Sequence, residues 1–388
     1  MEKGPFLIAG GGIAGLASAI AIARSGRDTA VFEQAPAFEE TGAGLQLGPN
    51  AIRALKALGA WDAVAPATTA PEEIMISDGQ TGRILHRVEL GGSFERRFGE
   101  RYRVVHRSGL LTGLLETARA SSRIALNPGK RLTGFENSRS AVVANFADGE
   151  QRAGEALIGA DGVHSVVRKT LEGASQPASG REILFRTLLP RDKAPALLDP
   201  GAISLWLYPG AHLVAYPLSG GHFNLVASAA KVGSPHPTLR PVSPSEVANH
   251  FLTAHPDLLA LLSLPAQWSC WPGLWREIVP QWARGRVALI GDAAHAMPPF
   301  LAQGAAMALE DAVVLGRALE PNENIAAAFR QYEALRRPRV LRVSRVSYRQ
   351  GYIYHSRGAA RLARNLVLRS LAPGAIPTRI RWLYDWRP

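Results

Sequence analysis

One cysteine in 388 residues, Cys270, excludes an internal disulfide and any cysteine-rich metal site, and it fits a reducing compartment. It reads as a small buried hydrophobe rather than a nucleophile. No run of eighteen apolar residues occurs, which excludes a membrane-spanning helix and stable membrane insertion. The N-terminus enters an apolar strand almost at once and leaves no room for a signal peptide, so a cytoplasmic protein is expected. Histidine, aspartate and glutamate nowhere cluster at metal-ligand spacing, so no metal is expected. Lysine is missing from the C-terminal stretch, where thirteen arginines from Arg336 onward stand against one acid, Asp385. The net charge is +12. Such a run suits a membrane surface, nucleic acid or an acidic partner, or it is a solvated helix face. Arg342, Arg345 and Arg349 recur three and four apart, as one exposed stripe does, which favours the solvated face. No basic motif of a nucleic-acid module interleaves it with aromatics, so no nucleic-acid partner is expected.

What is present is ordinary for a globular chain: 47% hydrophobic and 20% charged residues, enough for two domains or one large one. Phe6 to Ala9 is a short apolar strand that enters Gly10-Gly11-Gly12-Ile13-Ala14-Gly15. Leu16 to Ala23 follows as a helix, and Thr29 to Phe32 as a second strand ending at Glu33. This is a β-turn-α-β unit. Gly10, Gly12 and Gly15 fit G-x-G-x-x-G. The first glycine makes the tight turn, the second lets backbone approach a pyrophosphate, and the third lets helix pack on strand. The N–H groups of Ile13 and Ala14 open the helix toward the phosphates. Glu33 is placed to accept hydrogen bonds from ribose hydroxyls. No second such turn occurs. The chain is therefore either a plain NAD dehydrogenase or a flavoprotein without a separate nicotinamide domain.

Further along, Asn50 to Gly59 reads as a helix capped near Asn50, and Ser108 to Ala120 as another. Leu132 to Phe135, Ala141 to Phe146 and Gln151 to Ile158 read as strands, with a turn at Asp148-Gly149. Ile203 to Tyr208, Leu213 to Pro217 and Phe223 to Ala227 read as an antiparallel sheet. Arg286 to Ile290 returns to a buried parallel-type strand. Gly304 to Leu319 and Ile325 to Tyr348 are helical, the second interrupted at Pro338. Two segments place Asp beside Gly at the end of an apolar strand: Ile158-Gly159-Ala160-Asp161-Gly162, and Ala288-Leu289-Ile290-Gly291-Asp292-Ala293-Ala294-His295. The latter runs on through Pro298-Pro299 to Gln303, Gly304 and Ala305.

The glycine turn, Gly42 to Asn50, His106-Arg107, the Asp-Gly segment and the Gly-Asp segment occur in that order. With them the chain resembles, over nearly its whole length, the single-component class A flavoprotein aromatic monooxygenases. These are the group of salicylate hydroxylase, 3-hydroxybenzoate 6-hydroxylase and 6-hydroxynicotinate 3-monooxygenase. The resemblance implies a mixed α/β fold: a Rossmann-like FAD-binding core, an inserted antiparallel substrate sheet and a C-terminal helical region. The divisions expected are 1–175 and 276–330 for the core, 176–275 for the sheet domain and 331–388 for the basic helices. It further implies that Glu33 holds the adenosine ribose, that Arg107 contacts FAD near its phosphates, and that Asp161 with Gly162 serves flavin phosphate binding and nicotinamide docking. Gly291 and Asp292 would bind the ribityl or pyrophosphate portion. Pro298 and Pro299 would lie on the isoalloxazine, and backbone N–H groups from Leu301 to Gly304 and Ala305 would polarise its pyrimidine edge. One departure stands out. The family pattern has an acid before the leucine that follows His-Arg; here Ser108 and Gly109 precede Leu110. Ser108 is expected to cap the helix instead.

The chemistry so implied is reduction of FAD by NADH or NADPH, reaction with O₂ to a C4a-hydroperoxide, and hydroxylation of a phenolic or heteroaromatic ring that carries a carboxylate. The partners are thus a small aromatic substrate and O₂, with the chain a monomer or homodimer. A ring activated as phenolate calls for a base near neutral pH. His212 and Tyr216, four apart on a strand, share one face and resemble the family's substrate-side position. Gln303 is a candidate contact to the substrate hydroxyl, and Arg186 a bidentate partner for its carboxylate, with Pro299 beside them. The alternatives are epoxidation, oxidative decarboxylation, halogenation or reduction on the same fold, or a non-oxygenating binding protein. Trp268, Trp271 and Trp275 do not match the halogenase signature.

Overall fold

Four consecutive fully buried apolar residues, Phe6–Ala9, offer no face to water, as in the middle of a parallel sheet covered on both sides. A computed structural model describes residues 4–39, 42, 44–172, 178–230, 239–275, 278, 280–320 and 323–388, with backbone only at 178–181. Ala43 of the Gly42–Asn50 motif, and the divisions expected at 175–176 and 276, lie outside these residues. Phe6–Ala9 pairs in parallel with Thr29–Phe32 on one side and Ala156–Gly159 on the other. Ile124–Asn127, Val287–Leu289 and Ala283–Arg284 complete a six-stranded sheet. Register aligns Ala9 with Phe32 and Gly159, and Gly159 with Leu289. Glu33, Gly10, Asp161 and Asp292 therefore leave one carboxyl edge together, where open α/β sheets bind ligands.

The strand expected from Gln151 to Ile158 is two. Gln151–Gly154 belongs to a three-stranded antiparallel sheet with Val142–Phe146 and Leu132–Asn137, while Ala156–Gly159 lies in the parallel sheet. The chain changes sheets beside Gly154, where a Cβ would come within 2.6 Å of Leu7. Helix starts also differ. Gly48, not Asn50, is the N-cap of Pro49–Leu58, because the Asn50 amide is engaged elsewhere. His106, not Ser108, caps Arg107–Arg119, its Nδ1 accepting from the Ser108 N–H.

An eight-stranded sheet faces the parallel one. Its order is Arg240–Val242, Trp268–Trp275, Ala178–Pro190, His222–Ala230, Ala211–Leu218, Ala202–Tyr208, Glu73–Asp78, Ile84–Glu89. The last two strands come from the span assigned to the nucleotide-binding core. They join this sheet through a parallel pairing with Ala202–Tyr208, in which Ile74 meets Ile203. One face, with Leu213, Ala215, Leu225 and Ala227, packs on Phe251, Leu258 and Leu261. From the other, Tyr216 and Leu218 join the core around the parallel sheet.

Pro338 does not interrupt the last long helix, which runs unbroken over Ile325–Tyr354. The proline is exposed, so the carbonyl it leaves unbonded meets water. The opposite stripe, Tyr332, Arg336, Val340, Val343, Ser347 and Gly351, is buried and keeps the helix continuous. The division expected at 330–331 falls inside this helix. Arg342, Arg345 and Arg349 are exposed, as their spacing implies. Arg336 and Arg364 are not: both are buried, so the basic run is partly internal scaffolding. Among the described residues no helix is long and apolar enough to cross a membrane.

Candidate active site

The glycine turn is built for close approach. Gly10 sits at φ +101, and a Cβ there would lie 2.4 Å from the Ala160 carbonyl oxygen. At Gly15 a Cβ would lie 1.9 Å from the Gly10 oxygen. The helix Ile13–Arg24 starts at Gly12 with no side-chain cap and no acid in its first turn, leaving its positive end open. Glu33 accepts from the N–H of Gly11 (2.7 Å) and of Ala35 (2.9 Å), which fixes its carboxylate beside the turn. Asp161 accepts through Oδ2 from Val166 and Val167, capping the helix Val166–Glu172, while Oδ1 has no protein partner. Burial pushes its carboxyl up, opposed by Ser165 and these backbone donors. Gly162, at φ +73, turns the chain away behind it. Arg168 bridges the Asp-Gly segment to the Gly-Asp segment, donating to the Val163 and Ala293 carbonyls.

A Cβ on Gly291 would lie 2.8 Å from that of Ala14, so the Gly-Asp segment abuts the glycine-turn helix. Asp292 and Pro299 are exposed although most of their neighbours are buried. Ala302 is the sole non-glycine residue at positive φ (+52) among those described. That strain sits one residue before Gln303, the N-cap of Gly304–Leu319. Behind this surface lies a buried polar network the sequence reading did not find. Asp311 binds His295, Arg336 (2.6 Å) and the Gly291 N–H (3.3 Å). Glu310 binds Arg336 (2.7 Å), Arg339 (2.6 Å) and Asn50 (2.8 Å). Asn50 also donates to Gln303 Oε1 at 2.9 Å, so the Gln303 side chain, 1% exposed, belongs to this network. The one available signal was a pair of adjacent acids in the apolar stretch Ala305 to Gly316, since buried acids need partners.

On the facing sheet, the strands Ala202–Tyr208, Ala211–Leu218 and His222–Ala230 are buried throughout except at their ends and at two interior residues, Val214 and Val226. These two are paired, and Arg186 follows Val226 on the next strand. A small floor is thus open in the middle of the sheet. His212 and Tyr216 stand two residues either side of Val214 on the same face, roughly 13 Å apart along the strand. Arg186 closes a third side, its guanidinium 5.1 Å from the Trp271 ring. Burial lowers its proton affinity, and the nearby Arg107 lowers it further, with Tyr216 opposing. Burial pushes the Tyr216 hydroxyl up. Burial, then His355, holds the His212 imidazole well below its ordinary value, so His212 is neutral at neutral pH and its free ring nitrogen can accept a hydrogen bond.

A family profile described as FAD binding domain matches residues 4–347. The chain belongs to this family, that of the single-component FAD-dependent aromatic monooxygenases. The 3-hydroxybenzoate 6-hydroxylase of Polaromonas naphthalenivorans is 38% identical over 384 residues, covering 98% of this chain and 96% of that protein. The 6-hydroxynicotinate 3-monooxygenase of Bordetella bronchiseptica is 35% identical, covering 88% of this chain and 90% of that protein. Klebsiella pneumoniae HpxO complexed with FAD and uric acid superposes with a TM-score of 0.84 at 27% identity, covering 98% and 96% of the two chains. A salicylate hydroxylase substrate complex shares the fold, with a TM-score of 0.83 over 99% and 96% at 24% identity.

FAD fits the residues present in this monooxygenase. The uncapped helix start suits a pyrophosphate, and the fixed Glu33 carboxylate suits a ribose. Asp292 and Pro299 are exposed in an otherwise largely buried segment. Asp161 Oδ1, Gln303 Nε2 and Arg186 Nε lack protein partners on three segments of the site. Asp292→Ala should therefore yield protein purified with little or no flavin, read as the ratio of visible flavin absorbance to protein absorbance. Stoichiometric flavin in that variant would remove Asp292 from the cofactor site.

Proposed function

We propose that this enzyme hydroxylates a phenolic ring bearing a carboxylate, using NADH or NADPH as reductant, with the carboxylate at Arg186 and Tyr216 and the hydroxyl at His212. The observation that carries this reading is the half-open Val214–Val226 floor, bordered by one neutral imidazole, one phenol and one guanidinium. FAD, when bound, supplies oxygen activation and hydroxyl transfer. The chain's own residues bind, orient and keep water out. The valine floor and Phe300, whose ring lies 5.7 Å from that of His212, make the pocket apolar, which disfavours loss of the activated oxygen to water. The Arg186 guanidinium places a positive charge beside the floor, which favours a bound carboxylate. His212 takes the phenolic proton, and an electron-rich phenolate is the better ring for hydroxylation. Both relatives named above carry a hydroxylated aromatic acid in their names, which supports the same substrate class here.

The experiment is a panel of aromatic acids and neutral phenols, 3-hydroxybenzoate and 6-hydroxynicotinate included, scored for NADH and NADPH consumption, peroxide and hydroxylated product. Cofactor oxidation with peroxide and no product from any ring overturns the reading. In the same assay His212→Ala should lower coupled hydroxylation by about 100-fold while flavin content holds. Unchanged coupling would take His212 out of the mechanism.

A further inference from the structure

His212 has a partner that its own strand does not reveal. Its Nδ1 lies 2.9 Å from Nε2 of His355, 143 residues away in sequence. His355 is the C-cap of the long helix Ile325–Tyr354, and its carbonyl accepts from the Gly210 N–H at the turn leading into the His212 strand. His212 is 6% exposed, whereas His355 is only partly buried and is followed by exposed Arg357. The two imidazoles therefore form a line from the substrate floor toward solvent. Phe300 and Tyr354 pack around His212, and Phe300 also packs on His355, so apolar rings flank the line.

We propose that His355 is a positioning residue that fixes the tautomer of His212 and passes the substrate's phenolic proton from it to water; this rests on the reading of His212 given above. With His212 Nδ1–H donating to His355 Nε2, the Nε2 of His212 is left as the acceptor that the pocket requires. The phenol O–H bond breaks and its electron pair stays on oxygen. The proton moves to His212 Nε2, the Nδ1 proton moves to His355 Nε2, and His355 releases its Nδ1 proton to water. After hydroxyl transfer the ring proton leaves to water and regenerates a phenolate. As this takes the proton on His212 Nε2, the His355 Nε2 proton returns to His212 Nδ1 and water returns a proton to His355 Nδ1, which resets the pair. No oxidant enters these steps.

The charges around His355 favour release over storage. A helix C-terminus alone would hold an imidazolium. Arg364 instead donates to the Ile353 and Tyr354 carbonyls, and Arg357 crosses beside Gly210. Burial first, then these two cations, lower His355 to about 4. Asp78, the acid in this region, is engaged by Arg361 and Asn365 and lies 4.0 Å from Arg364. Tyr354 remains a neutral phenol, pushed up by burial. An imidazolium formed at His355 is thus short-lived, and the pair conducts without trapping the proton.

The test mixes FAD-loaded enzyme with 3-hydroxybenzoate, or the phenol that the panel selects, in weak buffer containing a pH indicator. Indicator absorbance reads proton release; ring absorbance reads phenolate. His355→Ala should slow release by about tenfold or more, with flavin content and ring affinity within about twofold. Added imidazole should restore the rate in His355→Ala and not in His355→Phe. His355→Gln keeps a hydrogen-bonding group but cannot pass a proton, so it should be as slow as His355→Ala. Wild-type release in His355→Gln, or no effect of His355→Ala, overturns the relay. His212→Ala separates the two ideas. If it loses proton release while the His355 variants keep it, only the relay falls. If His212→Ala also releases normally, or if wild type binds no phenol, the reading of the site falls and takes the relay with it.

Discussion

Replacing Arg336 with methionine should destabilise the protein by about 3–5 kcal/mol. Arg336 is 1% exposed and donates to both Asp311 and Glu310, which are fully buried. Methionine fills much of the space but leaves two carboxylates in a medium that solvates them poorly. Arg339 still engages Glu310, and His295 still engages Asp311, so the penalty stops short of two bare charges. Burial alone would raise the Asp311 carboxyl; His295 and then Arg336 overcome this and hold it below its ordinary value. A depressed folded pKa contributes stability that is present above the unfolded value and lost as pH falls through the folded one. The wild-type contribution therefore persists down to roughly pH 4 and disappears below it. Without Arg336 the Asp311 carboxyl protonates at higher pH, so acid unfolding of the variant should begin earlier. Denaturant titration followed by circular dichroism, repeated across acidic pH, measures both effects. A loss under about 1 kcal/mol, with an unchanged acid midpoint, would mean that the network is not a stability element. The functional consequence runs through Asp311, which also accepts from the Gly291 N–H beside Asp292. A folded Arg336→Met protein should hold FAD less tightly for that reason.

The parts legible in sequence were those set by local constraints. The strand Phe6–Ala9 is apolar at every position because both faces are covered, and that run is visible without partners. Gly10 and Gly15 are glycines because backbone oxygens stand where a Cβ would go, a constraint that any reader of the turn recovers. His212 and Tyr216 share a face because strand period is two, and the sheet does place them on either side of an open floor. What escaped depends on pairing across long stretches of chain. Glu73–Asp78 has a mixed polar pattern, and its place is set by a parallel pairing more than a hundred residues downstream. Arg336 looked like one more residue of a solvated basic run; only the fold brings Glu310 and Asp311 to it. His355 lies at the end of a helix in the region read as a basic appendage, and nothing local ties it to His212. Gln303, a candidate for touching substrate, has its Oε1 held by Asn50, a pairing that no local pattern shows. Pro338 misled in the opposite way: a local rule for breaking helices gave way to six buried residues on the far stripe.

Arg186→Met should raise KM for a carboxylated phenol by roughly 30- to 150-fold, the equivalent of about 2–3 kcal/mol for a hydrogen-bonded charge pair. Its kcat should change little, because a carboxylate remote from the reacting carbon is bound equally in ground and transition states. The KM of a matched neutral phenol should stay near its wild-type value. Arg186 is partly buried, and burial first, then Arg107, disfavours its charge in the free protein. No acidic partner is evident for it among the described residues, and its Nε has no acceptor. Methionine retains most of the stem and its contact with Trp271, while removing a cation held in an unfavourable place. The variant should therefore be as stable as wild type, or more so, even as it loses affinity for the acid. That opposition identifies a group maintained for a ligand: a structural arginine, once removed, weakens the fold, whereas a ligand-binding one relieves it. Equal increases in KM for acid and neutral phenol, or a lower melting temperature, would place Arg186 in the scaffold and leave the substrate carboxylate without a partner.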